Sequence, residues 1–482
     1  MKRIALLGAV LACAMVFGAG TAVANPAPRA VTSAPADFDA TLTRQADGSW
    51  LLDYRFRRKA PAWFFLRSFP TLDGTSWRLG SWTVETPGVT LERLGNYDVI
   101  AGKRAALKQV RIRIKPYGLS LKADYTPFLQ FSDGGTAVYD AHYGLVPLKA
   151  AEDAATLPSD LNDLHIENPR GTLAIANPGG TMLYRGATTA NVTHADFEGS
   201  GAYAYSGPAR PIETAAFAGI LDPGLPAWIQ TELNDFTPRL FALYRDRLGP
   251  SASGRPMALV AWGGADMPGQ SFGGSVLEGM VVMRISGTKA VASSPASLSK
   301  LRWFIGHESA HFWMGQTVRY ERRADAWITE GTADVLAIRA LQQLVPGYDA
   351  RGELQREVDD CIKENGAGEP LSGASARGDM RANYACGATL LLVAEGMARK
   401  RDPRADAFTW IRGLIDANRA DGKVTQADWL AAFEATSGDL ALVAKLRAYL
   451  DKGVNDPTAF LAALFETSGI GFTRSEGRVI LS

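Results

Sequence analysis

The period of the apolar positions changes partway along this chain. From about residue 37 to 205, segments such as Phe38-Asp39-Ala40-Thr41-Leu42, Trp50-Leu51-Leu52-Asp53-Tyr54 and Gln109-Val110-Arg111-Ile112-Arg113-Ile114 alternate or run β-branched. That is the pattern of strands with a buried face. Turn signals at Asp47-Gly48, Asp133-Gly134-Gly135 and Pro178-Gly179-Gly180 separate them, so this part reads as an antiparallel β domain. After Pro208 the spacing becomes helical, around residues 227–248 and 297–314, and only Met257 to Trp262 and Val276 to Ile285 still read as strands. Ser294 followed by Pro295 is a helix start, an N-cap with proline at the first helical position. Beyond Glu330 the text is Ala- and Leu-rich helix, with a last strand at Arg478 to Leu481. The expected fold class is α+β: an N-terminal antiparallel β domain over 25–205, a mostly helical domain over 206–455 and a tail over 456–482. No internal repeat or low-complexity segment interrupts it.

The first 24 residues do not fit either domain. Lys2 and Arg3 precede an apolar run from Ile4 to about Gly20, and Ala22-Val23-Ala24 precedes Asn25-Pro26. A basic start, a short apolar core and a small-x-small site predict a cleaved export signal and a periplasmic or secreted protein. Cys13 after Val10-Leu11-Ala12 offers the alternative of a lipid anchor, but the apolar stretch runs on past it. No other segment has the apolar length of a membrane span. Fifty-one basic residues balance fifty acidic ones, which argues against nucleic acid or an anionic membrane surface as partner. Removal of Cys13 with the signal leaves Cys361 and Cys386, either bridged in an oxidising compartment or two buried thiols.

The chemistry concentrates in one stretch. His307-Glu308-Ser309-Ala310-His311 uses two of only five histidines in 482 residues, and Glu330 follows. On a helix, positions i and i+4 share a face, so both imidazoles can bind one Zn2+ while Glu308 points at the open coordination position. With Glu330 as third protein ligand the metal keeps a place for water, the catalytic rather than the structural arrangement. One Zn2+ per chain is expected, with Glu308 as the base that takes a proton from water and returns it to a leaving amine.

Around these residues the chain resembles the aminopeptidase N family of gluzincin metallopeptidases. Trp313, Gly315, Asp325, Trp327, Glu330 and Gly331 stand in register with that family's signature after HExxH. The resemblance is tight from His307 to Ala333 and extends loosely, by domain order, over most of the chain. It implies a thermolysin-like catalytic domain, a peptide substrate, His307, His311 and Glu330 as zinc ligands and Glu308 as general base. Asp334, one turn after Glu330, would accept a hydrogen bond from a ligand histidine. Asn383-Tyr384-Ala385-Cys386-Gly387 resembles the family's Tyr-x-x-Gly segment and implies that Tyr384 stabilises the oxyanion of the tetrahedral intermediate. In Gly274-Ser275-Val276-Leu277-Glu278-Gly279, Leu277 and Glu278 stand for the family's Met-Glu pair, so Glu278 would hold the substrate's α-amino group. Gly279 replaces the family's Asn, however, and the Gly spacing is off by one.

The expected function is therefore an exported zinc metallopeptidase that removes N-terminal residues. Fewer than a hundred residues follow Tyr384, so the expectation is a chain without the large C-terminal helical domain of many relatives, and with a more open site. The alternatives are a zinc endopeptidase, an enzyme like the glycyl aminopeptidases, and a peptide-binding relative without turnover; intact Glu308 and Tyr384 speak against the last. Gly269-Gln270-Ser271-Phe272-Gly273 fits the nucleophile elbow of serine hydrolases, yet strand-like sequence follows it and no histidine occurs after His311. His142, His165 and His194 have no ligand spacing and read as surface or satisfied core histidines.

Overall fold

The computed structural model describes residues 35–482 apart from 104–105, 123, 159–168, 198–200, 216, 253 and 476. The expected export signal, Cys13 and His165 lie outside the described residues. Within 36–482, which form one compact unit, three sheets precede a helical array.

The first sheet has nine strands, in the order Trp82–Val84, Gln109–Ile114, Trp50–Phe56, Phe38–Arg44, Gly171–Tyr184, Tyr203–Gly207, Thr136–Tyr139, Phe128–Gln130, with Ala187–Asp196 also paired to Gly171–Tyr184. Its pairings are antiparallel except one: Phe38–Arg44 runs parallel to Gly171–Tyr184. Alternation sends Phe38, Ala40 and Leu42 into the core together with Trp50, Leu52 and Tyr54. Pro178-Gly179-Gly180 is not the turn that its composition suggests. Gly171–Tyr184 is one long strand with a register shift between Asn177 and Thr181, and Gly179 at φ 77° takes up the extra length as a bulge. A four-stranded sheet, Leu145–Leu148, Ala62–Phe65, Tyr97–Gly102 and Val89–Leu94, packs beside it.

The third sheet positions the site. Ala218–Leu221, Met257–Trp262 and Met280–Ser286 pair in parallel, Ile212–Glu213 flanks one side, and Ser271–Leu277 lies antiparallel on the other edge. Both faces are covered. Ile220, Met257, Leu259, Met280 and Val282 join the core of the β-rich part, whereas Ala258, Val260, Val281, Met283 and Ile285 join the helical core. Residues 276–285, read as one strand, are two strands joined by a two-residue turn at Glu278-Gly279. Gly279 at φ 70° supplies the left-handed residue this turn requires.

Helices Ala227–Leu248, Pro295–Ala310, Ala326–Leu344, Arg351–Asn365 and Met380–Arg401 share one core with the second face of this sheet, and three more span Ala407–Asn418, Gln426–Ser437 and Leu440–Lys452. Residues 456–482 carry the helix Pro457–Ser468 and a two-stranded ribbon, Phe472–Ser475 with Arg478–Leu481, and bury Phe465 and Val479. No described helix is long and apolar enough to cross a membrane.

Cys361 and Cys386 form a disulfide, with Cα atoms 4.6 Å apart, that ties helix Arg351–Asn365 to helix Met380–Arg401. The bridge closes a loop of 25 residues in sequence separation, for which chain entropy gives about 3 kcal/mol of stabilisation. The Cys361→Ala, Cys386→Ala double variant is expected to lose about that much in urea unfolding. Thiol titration of unfolded, unreduced wild-type protein is expected to find neither cysteine free.

Candidate active site

His307 and His311 stand at the C-terminal end of helix Pro295–Ala310. Its start is the one read from sequence: the Ser294 hydroxyl accepts from the Ser297 amide at 3.0 Å, and Pro295 opens the first turn. The helix is held close to Ala326–Leu344, where a Cβ on Gly306 would come within 3.1 Å of Ala337 Cβ. The Tyr244 hydroxyl donates to the Gly306 carbonyl at 2.9 Å. These contacts fix the histidine-bearing turn before any ligand is considered.

Three atoms converge. Nε2 of His311 lies 3.2 Å from Nε2 of His307, and Glu330 Oε2 lies 3.6 Å from the first histidine of the pair, His307, and 3.5 Å from His311. Ligands about 2.0–2.1 Å from a tetrahedral zinc stand about 3.3–3.4 Å from one another. The triangle therefore has the edges of three corners of such a tetrahedron. The ring protons agree with it: His307 Nδ1 is 2.7 Å from Asp334 Oδ1, and His311 Nδ1 is 3.0 Å from the Met314 carbonyl. Each acceptor holds the proton on Nδ1 and leaves a lone pair on Nε2 facing the shared point. Glu330 Oε2 is buried with no hydrogen-bond partner among the described residues, a desolvation cost that a cation at that point would remove. The residues fit Zn2+.

The electrostatics point the same way. Burial disfavours a charged His307, but Asp334 and Glu330 outweigh it and push the imidazole up to about 10. Burial would raise Glu330, yet the two histidines hold its carboxyl well below the usual range. A divalent cation is the natural counter-charge for this anionic pocket. Glu308, half-buried in the same cleft, is raised chiefly by burial.

Tyr384 comes from helix Met380–Arg401, and its ring stacks on His307 with centroids 5.6 Å apart and planes 15° from parallel. Burial, then the nearby Glu330 carboxylate, raise its phenol, so the hydroxyl keeps its proton. Asp334 is fully buried; its second oxygen lies 3.4 Å from Arg381 Nη1, and Arg381 also holds Glu357 at 2.7 Å and Asp360 at 2.9 Å. Burial and the Asp334 charge push Glu357 up to about 7.

Glu278 is exposed at the tip of the Ser271–Ser286 hairpin and lines the same cleft of about 750 Å³ as His307, Glu308, His311, Glu330 and Tyr384. The tip is clamped by a residue that sequence reasoning missed. Gln316 Nε2 donates to the Leu277 carbonyl at 2.6 Å, and its Oε1 accepts from the Gly279 amide at 2.8 Å. A lone amide in a loop belongs to no periodicity, so nothing in the pattern marks it. The Arg381 network behind Asp334 was equally unmarked.

The other candidates fall elsewhere. Ser271 opens the edge strand rather than a strand-to-helix elbow. His142 is buried beside Asp124 at 3.1 Å, and burial lowers it to about 4 despite that carboxylate. His194 is exposed on the strand Ala187–Asp196.

Comparison with known proteins adds a likeness in three dimensions only. No protein-family description matches the chain, and no curated protein does. Among solved structures, an alanine mutant of the M1 zinc metallopeptidase from Deinococcus radiodurans, bound to a Tyr-Ser-Ala substrate, is similar at 15% identity and TM-score 0.46, over 88% of this chain and 96% of that one. The M1 zinc metallopeptidase from the same organism is similar at 16% identity and TM-score 0.44, over 87% and 94%. Leukotriene A4 hydrolase from Saccharomyces cerevisiae is similar at 13% identity and TM-score 0.47, over 87% and 68%. The functional reading therefore rests on this chain's own residues.

Metal analysis of the purified protein is expected to find about one Zn2+ per chain. His307→Ala and Glu330→Ala should each lose most of it, and Asp334→Asn should keep it with affinity weakened about 10- to 100-fold in chelator competition. Full zinc in both ligand variants would place the metal elsewhere.

Proposed function

We propose that this protein is a zinc-dependent metallopeptidase that removes N-terminal residues from peptides, working outside the cytoplasm after export by residues 1–24. The observation that carries the reading is the triangle of His307 Nε2, His311 Nε2 and Glu330 Oε2 with Glu308 and Tyr384 on the same cleft. Bound there, zinc supplies Lewis acidity, polarising a carbonyl and lowering the pKa of a water to near 7.

The chain's own groups do the rest. Glu308 takes a proton from the attacking water as that water adds to the peptide carbonyl. A carboxylate whose pKa is raised by burial holds the proton long enough to pass it to the leaving amine, which departs neutral. Tyr384, protonated throughout, donates a hydrogen bond to the oxygen that gains negative charge. The edge strand Ser271–Leu277 has one side unpaired among the described strands, so an extended peptide can pair with it. Glu278, at the end of that strand, offers a carboxylate to the α-ammonium group and sets the cleavage point one residue in.

Glu308→Gln is expected to retain zinc and lose nearly all turnover, because the amide fills the space and accepts no proton. Tyr384→Phe should also retain metal and fold while kcat falls on the order of a hundredfold, the usual effect of removing an oxyanion donor. Wild-type rates in the phenylalanine variant would take Tyr384 out of the mechanism.

Chain-end specificity is tested separately. Glu278→Ala should raise KM about tenfold or more for substrates with free amines and leave N-blocked ones unchanged, the effect of deleting one charge-assisted contact. Internal cleavage of N-blocked peptides by the unmodified enzyme, as fast as cleavage of free ones, would replace the exopeptidase reading with an endopeptidase. Gly279 in the place of the family's Asn is the residue that favours that outcome.

A further inference from the structure

Past the histidine helix the chain turns at Gly315 and runs through Val318 and Arg319 toward Asp325. The backbone of Arg319 is fixed on both sides: its amide donates to the Gly422 carbonyl at 3.0 Å, and its carbonyl accepts from the Val424 amide at 2.9 Å. Val318 is fully buried in the helical core. The exposed side chain of Arg319 lines the catalytic cleft.

Two features separate it from an ordinary rim arginine. The neighbouring Arg322 is committed to Asp325 at 3.1 Å and Lys423 to Glu321, whereas Arg319 makes no side-chain hydrogen bond or ion pair among the described residues; Arg323 makes none either, but it does not line the cleft. It is also the single Lys or Arg among the described residues lining a cleft built to hold a divalent cation. No carboxylate among the described residues pairs with this guanidinium, so it is open to an anion brought by the substrate.

We propose that Arg319 receives a carboxylate of the substrate. The cleft then presents a carboxylate for the α-ammonium group, Glu278, and a guanidinium for a carboxylate, Arg319, which together suit a short zwitterionic peptide. A cleft of about 750 Å³ is within the size range that encloses a small ligand, and a guanidinium can hold a carboxylate through two parallel N–H donors. The inference rests on the peptidase reading for the identity of the ligand, and it names a specificity-determining residue within that site.

The test separates the two. In zinc-loaded Glu308→Gln protein, calorimetry measures binding of an intact tripeptide with a free C-terminal carboxylate, its C-terminal amide, and an amide carrying an internal Asp. The free-carboxylate tripeptide is expected to bind about tenfold more tightly than its amide, the scale of one hydrogen-bonded charge pair. Adding Arg319→Ala should bring that ratio to about one without changing zinc content or thermal unfolding, and Arg319→Lys should recover part of it. Recovery of tight binding by the internal Asp in the amide would assign the contact to acidic side chains, and tight binding only with the free terminus assigns it to the chain end. With Glu308 intact, Arg319→Ala should raise KM for the free tripeptide and leave both kinetic constants for the amide unchanged.

A ratio near one in the Arg319-containing protein, a ratio that survives Arg319→Ala, or no peptide binding at all would overturn the assignment. Binding that discriminates as described, with no cleavage of any peptide by the unmodified protein, would leave Arg319 in place and overturn the peptidase reading instead.

Discussion

At Gly331 and Gly387 two helices meet with no side chain between them. A Cβ on Gly331 would lie 2.1 Å from the Gly387 carbonyl carbon, and one on Gly387 would lie 2.0 Å from the Trp327 carbonyl oxygen. Neither position admits any residue but glycine without moving backbone. Glu330 immediately precedes the first glycine, and Tyr384 lies one turn before the second. The backbone contact therefore sets how far the phenol stands from the carboxylate and from the ring of His307. On the same helix, Asp334 lies one turn beyond Glu330, where it reaches His307 Nδ1. A single close approach thus fixes Glu330, Asp334 and Tyr384 together, and the disulfide from Cys386, next to Gly387, ties the same turn to helix Arg351–Asn365.

That geometry gathers negative charge where charge is costly. Asp334 and Glu357 are buried and Glu330 and Glu308 half-buried, all within one small region, and Arg381 answers part of it by touching Asp334, Glu357 and Asp360 at once. Removing either side of such a network leaves uncompensated buried charge, which costs more than the network contributes. What Arg381 does not neutralise is the inner edge, Glu330 facing two imidazoles. A site that is electrostatically incomplete in this way has high affinity for a cation and little tolerance of its absence, and zinc and folding of this region should be coupled.

Much of this was legible. The helix carrying the histidines, its Ser294-Pro295 start and the strand Gln109–Ile114 follow from local rules because each buries one face, and Met257–Trp262, buried on both, is legible as a short apolar run between Pro256 and Gly263. The approach of His307 to His311 was legible for the same reason, since i and i+4 on a helix meet whatever surrounds them, and the resemblance marked Glu330 as the third member of the group. The parts that were not legible depend on residues far apart in sequence. The parallel pairing of Phe38 with Gly171 cannot be read from either strand, nor can the Gln316 clamp on Leu277 and Gly279. Glu278-Gly279 sat inside an apolar run that looked continuous because both flanking strands are buried, so the turn was masked by its surroundings. At Pro178-Gly179-Gly180 the reverse happened, and turn-forming residues served a bulge in a long strand.

The same division separates the chemistry from the choice of substrate. Both histidines, Glu308, Glu330, Asp334 and Tyr384 stand on three helices locked by glycine contacts and a disulfide, and their positions tolerate almost no movement. Glu278 and Arg319 stand on a hairpin turn and an extended loop, each held by a few backbone hydrogen bonds at the edge of the cleft. On the proposed reading, substitution there would change which peptide ends are recognised while leaving the histidine helix in place. The third sheet makes that separation workable. Buried on both faces and anchored in two cores, it holds its edge strand rigidly beside the cleft, while the turn at its end stands exposed.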